Sequence, residues 1–158
     1  MEETYVDIML QSLEKKEQIL DLIIRANKKQ KRILESKEST PDEFDKTVEQ
    51  KSQLIEQLDQ LDSGFEKLFE RMKQELEGNK EHYASKIKLM QEHIKSITDK
   101  SVEIQAQEKR NKSLMTAKFT EIKNQIRTVR KGTAVANKYY KSMAKLNVIE
   151  PQFMEFKK

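Results

Sequence analysis

From Val6 to Leu34 the apolar residues return at alternating steps of four and three: Val6, Leu10, Leu13, Leu20, Ile24 and Leu34 share one register. That spacing keeps one stripe of an α-helix turned toward a neighbouring helix along its whole length, and it excludes the period of two that a half-buried strand requires. Three positions of the register are polar: Glu17, Asn27 and Lys31. A second apolar line through Ile8, Ile19, Leu22, Ile23 and Ile33 widens the stripe enough to meet more than one helix.

The same spacing recurs after each break in the chain. In SKESTPDEF, Thr40 can cap an orphan amide, Pro41 needs no amide hydrogen at the first helical position, and Glu43 stands where a capping box returns the bond. The second helix then carries Phe44, Val48, Leu54, Leu58, Leu61, Phe65, Leu68, Met72 and Leu76. Its register continues across Gly64, which predicts a kink or a close helix contact there and not a loop. Gly78 and Asn79 supply a left-handed stop and a cap for the next helix. The third segment runs Tyr83, Ile87, Met90, Ile94, Ile97, Ser101, Ile104, Glu108, Asn111 and Met115, slips by one residue, and resumes at Phe119. With 37% charged residues, three Gly and two Pro in 158 positions, these are long exposed helices with narrow seams, not parts of a thick core.

Lengths carry the reading further. Helices predicted over 3–36 and 41–77 hold roughly 35 residues each, so each spans about 50–55 Å at about 1.5 Å per residue. A third helix starting near 80 uses up that length near 116. The expectation is an all-α, elongated, antiparallel up-down-up three-helix bundle or coiled coil over residues 1–116. A C-terminal helical arm over 117–158 continues it, with an interruption at Gly132 and an apolar tail after Pro151. From Phe119 to Met143 the apolar stripe of the arm has no cover in such a hairpin.

Charge divides the chain at the same place. Residues 1–108 hold 18 Lys and Arg against 24 Asp and Glu, net −6, whereas residues 109–158 hold 13 against 3, net +10. A basic arm on an acidic scaffold can lie back on that scaffold or be steered to an acidic partner.

Chemistry-bearing constellations are absent from the sequence. There is no Cys, no phosphate-cradling glycine loop and no nucleophile motif, and the two histidines, His82 and His93, read as solvated surface residues too far apart along a helix to share a metal. We therefore expect no enzyme activity, no cofactor and no metal. The N-terminus MEETYVDIML lacks the basic start and apolar run of a secretory signal, and no run of about 18 apolar residues suggests a membrane span, which points to a cytoplasmic protein.

Two candidate sites remain. Folding the chain back twice brings Asn27 and Lys31 level with Lys51 and with Gln105 to Asn111, and we expect a polar register layer of Asn27, Lys31, Glu108 and Asn111, with Lys31 meeting Glu108 and Asn27 or Asn111 filling the remaining hydrogen bonds. In the arm, Phe119, Ile122, Ile126, Val129, Ala136, Tyr139, Tyr140, Met143 and Leu146 form a stripe suited to helix-in-groove capture of a partner. Packing on the chain's own bundle is the plain alternative. Lys118, Lys123, Arg127, Arg130 and Lys131 could meet nucleic acid, but no recognised nucleic-acid fold accompanies them, and the absence of Trp weakens a membrane-surface reading.

The segments YVDIMLQSLEKKEQILDLI, VEQKSQLIEQLDQLDSGFEKLFERMKQEL and SVEIQAQEKRNK, followed by a long last helix, resemble the flagellar type III export chaperones of the FlgN class over most of residues 5–145. The resemblance implies a cytoplasmic helical chaperone. Its clients would be the C-terminal assembly helices of hook–filament junction proteins, held unpolymerised and delivered to the flagellar export apparatus. It also implies that the C-terminal stripe is the client-binding element; the tail Phe153 to Phe156 has no counterpart in it. From the residues themselves we expect no nucleic acid bound and no membrane insertion. A structural coiled-coil tether that forms homo-oligomers through the arm is the reading from a different class.

Overall fold

A computed structural model describes residues 4–121 as four α-helices: α1 Tyr5–Glu35, α2 Pro41–Ser63, α3 Phe65–Leu76 and α4 Ala84–Glu121. No strand occurs among them, and the all-α class expected from the spacing is what the chain adopts. α1 pairs with α2 and α3 in antiparallel sense, because contacting residue numbers add to a near-constant value: Lys16 with Asp62, Gln30 with Thr47, Tyr5 with Glu75. α1 pairs with α4 in parallel sense, because the difference is near constant: Asp7 with Lys86, Asp21 with Lys100, Asn27 with Gln107. The topology is up-down-up, with α2 and α3 forming the middle leg.

Local chemistry sets the ends. At α1 the Thr4 hydroxyl accepts from the Asp7 amide (3.1 Å) while the Asp7 carboxylate accepts from the Thr4 amide (3.4 Å), a capping box. Glu75 of α3 adds a tertiary cap, accepting from the amides of Tyr5 and Val6 at 3.2 and 3.1 Å. Thr40 caps α2 through the Glu43 amide, with Pro41 in the first turn, but the Glu43 side chain returns no bond. The expected capping box there is half formed.

Of the two alternatives expected at Gly64 the structure takes the break: the second leg divides there into two helices with no loop between them, and close contact is not the reason, since a Cβ would meet nothing nearer than the Leu61 carbonyl at 4.0 Å. At the other stop, Gly78 has φ +78°, the left-handed closing conformation, but Asn79 does not cap forward. Its side-chain amide donates back to the Glu75 carbonyl (3.3 Å), and a turn occupies residues 77–83. α4 therefore starts at Ala84, four residues later than expected.

The main core is built by Val6, Met9, Leu13, Leu20 and Ile23 of α1 against Ile55 and Leu58 of α2, Phe65, Met72 and Leu76 of α3, and Met90, Ile94, Ile97 and Ile104 of α4. Burying each such side chain contributes about 1.5–3 kcal/mol. The α1 seam that faces the core is Val6, Met9, Leu13, Lys16, Leu20, Ile23, Asn27, Gln30 and Leu34, each nearly free of solvent. This register shares Val6, Leu13, Leu20, Asn27 and Leu34 with the expected one and puts Met9, Lys16 and Gln30 in place of Leu10, Glu17 and Lys31, while Ile23 joins Ile24, which is buried as expected. α1 has two neighbours, and each takes one flank. The Lys16 and Gln30 side meets α2, whereas Glu17 and Asp21 meet α4, where Glu17 binds His93 and Ser96, and Lys100 bridges Glu17 (3.5 Å) and Asp21 (2.9 Å).

Candidate functional site

Where the expected register layer lies, the bundle holds a buried polar network larger than the four residues named from sequence. Lys51 of α2 donates from Nζ to Glu108 at 2.8 and 3.0 Å and to the Gln30 side-chain oxygen at 2.9 Å. Gln30 donates to the Thr47 hydroxyl (3.0 Å), which itself donates to the Phe44 carbonyl (2.6 Å). Asn111 donates to Gln30 (3.1 Å) and to the Asn27 carbonyl (3.0 Å), and Asn27 donates to Gln107 (3.0 Å). Asn27, Glu108 and Asn111 are all buried there, at 0, 5 and 1% exposure.

Lys31 is not in the network. Its side chain is 42% exposed and pairs with Glu35 of its own helix at 3.6 Å, so the expected Lys31–Glu108 contact is replaced by Lys51–Glu108. Lys51 was placed at this level by the sequence but given no part in the layer: Phe44, Val48, Lys51, Ile55 and Leu58 form an unbroken four-three register that turns it inward, and choosing Leu54 over Ile55 hides that. Burial pushes the Lys51 ammonium down to about 8, with the adjacent Glu108 carboxylate opposing that fall. A second buried pair, Lys16 with Asp62 (3.3 Å), lies deeper along the same seam, with the Lys16 ammonium 5.5 Å from the Phe65 ring centre. There burial raises the Asp62 carboxyl and Lys16 opposes the rise.

Beyond the network, on the side where α4 leads toward the arm, a separate apolar cluster joins Leu34, Phe44, Val48, Met115 and Phe119. Phe119 meets Phe44 edge to face, with centroids 5.1 Å apart and planes at 87°, worth about 0.5–1.5 kcal/mol beyond burial. Its neighbour Lys118 donates to the carbonyls of Ile33 (3.2 Å) and Ser36 and to the Ser39 hydroxyl. The two carbonyls stand at the negative end of α1, where a cation is favoured, and both also accept from the Ser39 hydroxyl. Phe119 is thus 7% exposed and part of the bundle, which corrects the expectation that the uncovered stripe begins there. The cover comes from Phe44 in the first turn of α2, which meets Phe119 past the level where α1 itself ends. Ile122, Ile126, Val129, Ala136, Tyr139, Tyr140, Met143 and Leu146 lie outside the described residues.

His93 is also reassigned. Its ring is 24% exposed and its Nδ1 contacts the Glu17 carboxylate, so it belongs to the α1–α4 seam. His82 is exposed and stacks edge-on against Tyr83 at 4.9 Å. Among the described residues no group of His, Cys, Asp or Glu could hold a metal ion, and no helix is long and apolar enough to cross a membrane.

Fold and polar layer together define an all-α, up-down-up helical-bundle protein. The family model described as FlgN protein matches residues 1–147. The chain belongs to the FlgN family, a family of flagellar export chaperones. Neither the curated proteins nor the solved structures compared with it contain a match.

Proposed function

We propose that this chain masks the C-terminal assembly helix of hook–filament junction proteins and holds it unpolymerised for delivery to the export apparatus in the cytoplasm. The binding element is the stripe Ile122, Ile126, Val129, Ala136, Tyr139, Tyr140, Met143 and Leu146. The observation that supports this reading is the continuity of the apolar register at the last described turn of α4. Leu34 of α1 and Phe44 of α2 pack on Met115 and Phe119 of that register. Ile122, Ile126 and Val129 continue the four-three spacing in sequence past that point. An amphipathic helix presenting i, i+4 and i+7 anchors recognises another such helix by burying both apolar faces.

The test is titration calorimetry of the full chain with a hook–filament junction protein. Ile126→Asp with Val129→Asp should abolish binding while the unfolding midpoint of the bundle stays unchanged. Undiminished binding by that variant would refute the assignment of the stripe.

A further inference from the structure

Along most of the α1–α4 seam a carboxylate of α1 answers a cation of α4: Asp7 meets Lys86, and Glu17 and Asp21 meet Lys100. The supply then stops. Between Asp21 and Glu35 α1 has no acidic residue, and Glu35 pairs with Lys31 of its own helix. Lys118, in the last described turn of α4, is held differently. Its Nζ donates to the Ile33 carbonyl (3.2 Å), the Ser36 carbonyl and the Ser39 hydroxyl, and it makes no ion pair among the described residues. Three acceptors match the three protons of an ammonium group. Bonds to backbone carbonyls fix direction as well as distance, whereas an exposed pair of long charged side chains leaves both ends free to move. The next residue makes a second tie, since Phe119 rests edge to face on Phe44 at the opening of α2. Two adjacent residues thereby bind the end of α4 to both other legs of the bundle.

We propose that Lys118 is a positioning residue for client binding: bonded to the end of α1 and to the turn after it, it fixes the direction in which the chain leaves the bundle at Glu121, one residue before the stripe begins at Ile122. The inference rests on the reading of that stripe given above. Folding does not need the tie. On α4 the main core ends at Ile104, and the polar layer already joins α4 to α1 through Asn111 and to α2 through Glu108. What the tie adds is orientation. A lysine suits the role, because its apolar stem spans the gap between helices while its head is favoured at the negative end of α1. The stripe extends to Leu146, and a change of direction at Glu121 is magnified along it. A binding element held in its competent direction for about a tenth of the time binds about tenfold more weakly, with no contact to the client lost.

Titration calorimetry of the full chain with a hook–filament junction protein reads the effect. Lys118→Met keeps the stem and removes the three bonds; affinity should fall about tenfold while circular dichroism shows the bundle still folded. Lys118→Arg, which retains a cationic donor, should bind within about threefold of the unsubstituted chain. The chain has no Cys, so Ser39→Cys with Lys118→Cys gives two thiols that a short bismaleimide can join across the tie. The unlinked form should bind as weakly as Lys118→Met, and the linked form should regain the lost affinity. Each titration is made on folded protein, so a merely stabilising role would leave all these affinities equal. Ile126→Asp with Val129→Asp separates the two readings. If that variant fails to bind while Lys118→Met binds like the unsubstituted chain, positioning by Lys118 is overturned and the stripe stands. A linked form that stays as weak as the unlinked one overturns it equally. If Ile126→Asp with Val129→Asp binds undiminished, the stripe reading fails and this inference with it.

Discussion

Replacing Glu108 by Ala tests whether the polar layer holds a charge out of water. The substitution removes the 2.8 and 3.0 Å contacts to Lys51, whose side chain is 1% exposed, and leaves the neutral Gln30 oxygen at 2.9 Å. Breaking a buried pair from one side ordinarily costs about 3–5 kcal/mol, because the surviving charge is uncompensated. Lys51 has a way out. Its pKa stands at about 8. At pH 7 shedding the proton therefore costs about 1 kcal/mol, each unit being worth about 1.4 kcal/mol. That caps the ionic part of the loss, and the truncated hydrogen bonding and packing add about 1–2 kcal/mol. We expect a total of about 2–3 kcal/mol at pH 7. Near pH 5.5 the escape costs about 3 kcal/mol and the total rises to about 4–5 kcal/mol; above pH 8 only the truncation cost remains. Lys51→Met combined with Glu108→Leu removes both charges, and should be neutral to within about 1 kcal/mol and flat with pH. Urea unfolding followed by far-ultraviolet circular dichroism measures all three proteins. A single-variant loss below about 1 kcal/mol, or one that does not shrink as pH rises toward 8, would refute a buried, ionised Lys51.

The unsubstituted chain should itself gain stability between about pH 8 and 10.5: Lys51 releases its proton near 8 when folded and near 10.5 when unfolded, so the unfolded chain binds more protons in that window and the slope is positive. The denaturation midpoint in borate and carbonate buffers reads this contribution, and a Lys51→Met control isolates it. Gly64→Ala should stabilise by about 0.5–1 kcal/mol, since the position has right-handed angles, φ −94° and ψ −10°, and room for a Cβ. Gly78→Ala should destabilise by about 1 kcal/mol because φ is +78° there; thermal melts of the two variants shifting the same way would contradict this. Phe119→Ala should cost about 2–3 kcal/mol and strip hydrogen-exchange protection from residues 112–121 before the segment around Ile97, because the polar layer separates its cluster from the main core.

Much of the fold was legible because it rests on local chemistry and on spacing. Thr40 and Pro41 open a helix wherever they stand, Gly78 closes one, and the register Met90, Ile94, Ile97, Ser101, Ile104, Glu108, Asn111 and Met115 is buried as the spacing implied. The polar layer was half legible for the same reason: Asn27, Glu108 and Asn111 interrupt otherwise apolar registers. Lys31 misled because position 31 and position 30 are equally good continuations of one line. Both Lys31 and Gln30 are polar, and a helix stripe 3.6 residues in period admits either neighbour of each central position. His93 misled because a single helix does not reveal that Glu17 stands opposite.

What the sequence by itself determined is the helical class, the two places where the chain turns back, and the split of charge between scaffold and arm. These follow from backbone chemistry and composition, which act within a few residues of where they are written. Only the tertiary structure decided which flank of α1 faces which neighbour, and with it that Lys51 and Gln30, not Lys31, complete the layer. It also decided that cover extends to Phe119. Both depend on contacts between residues far apart in the chain, which the apolar period of one helix taken alone does not specify.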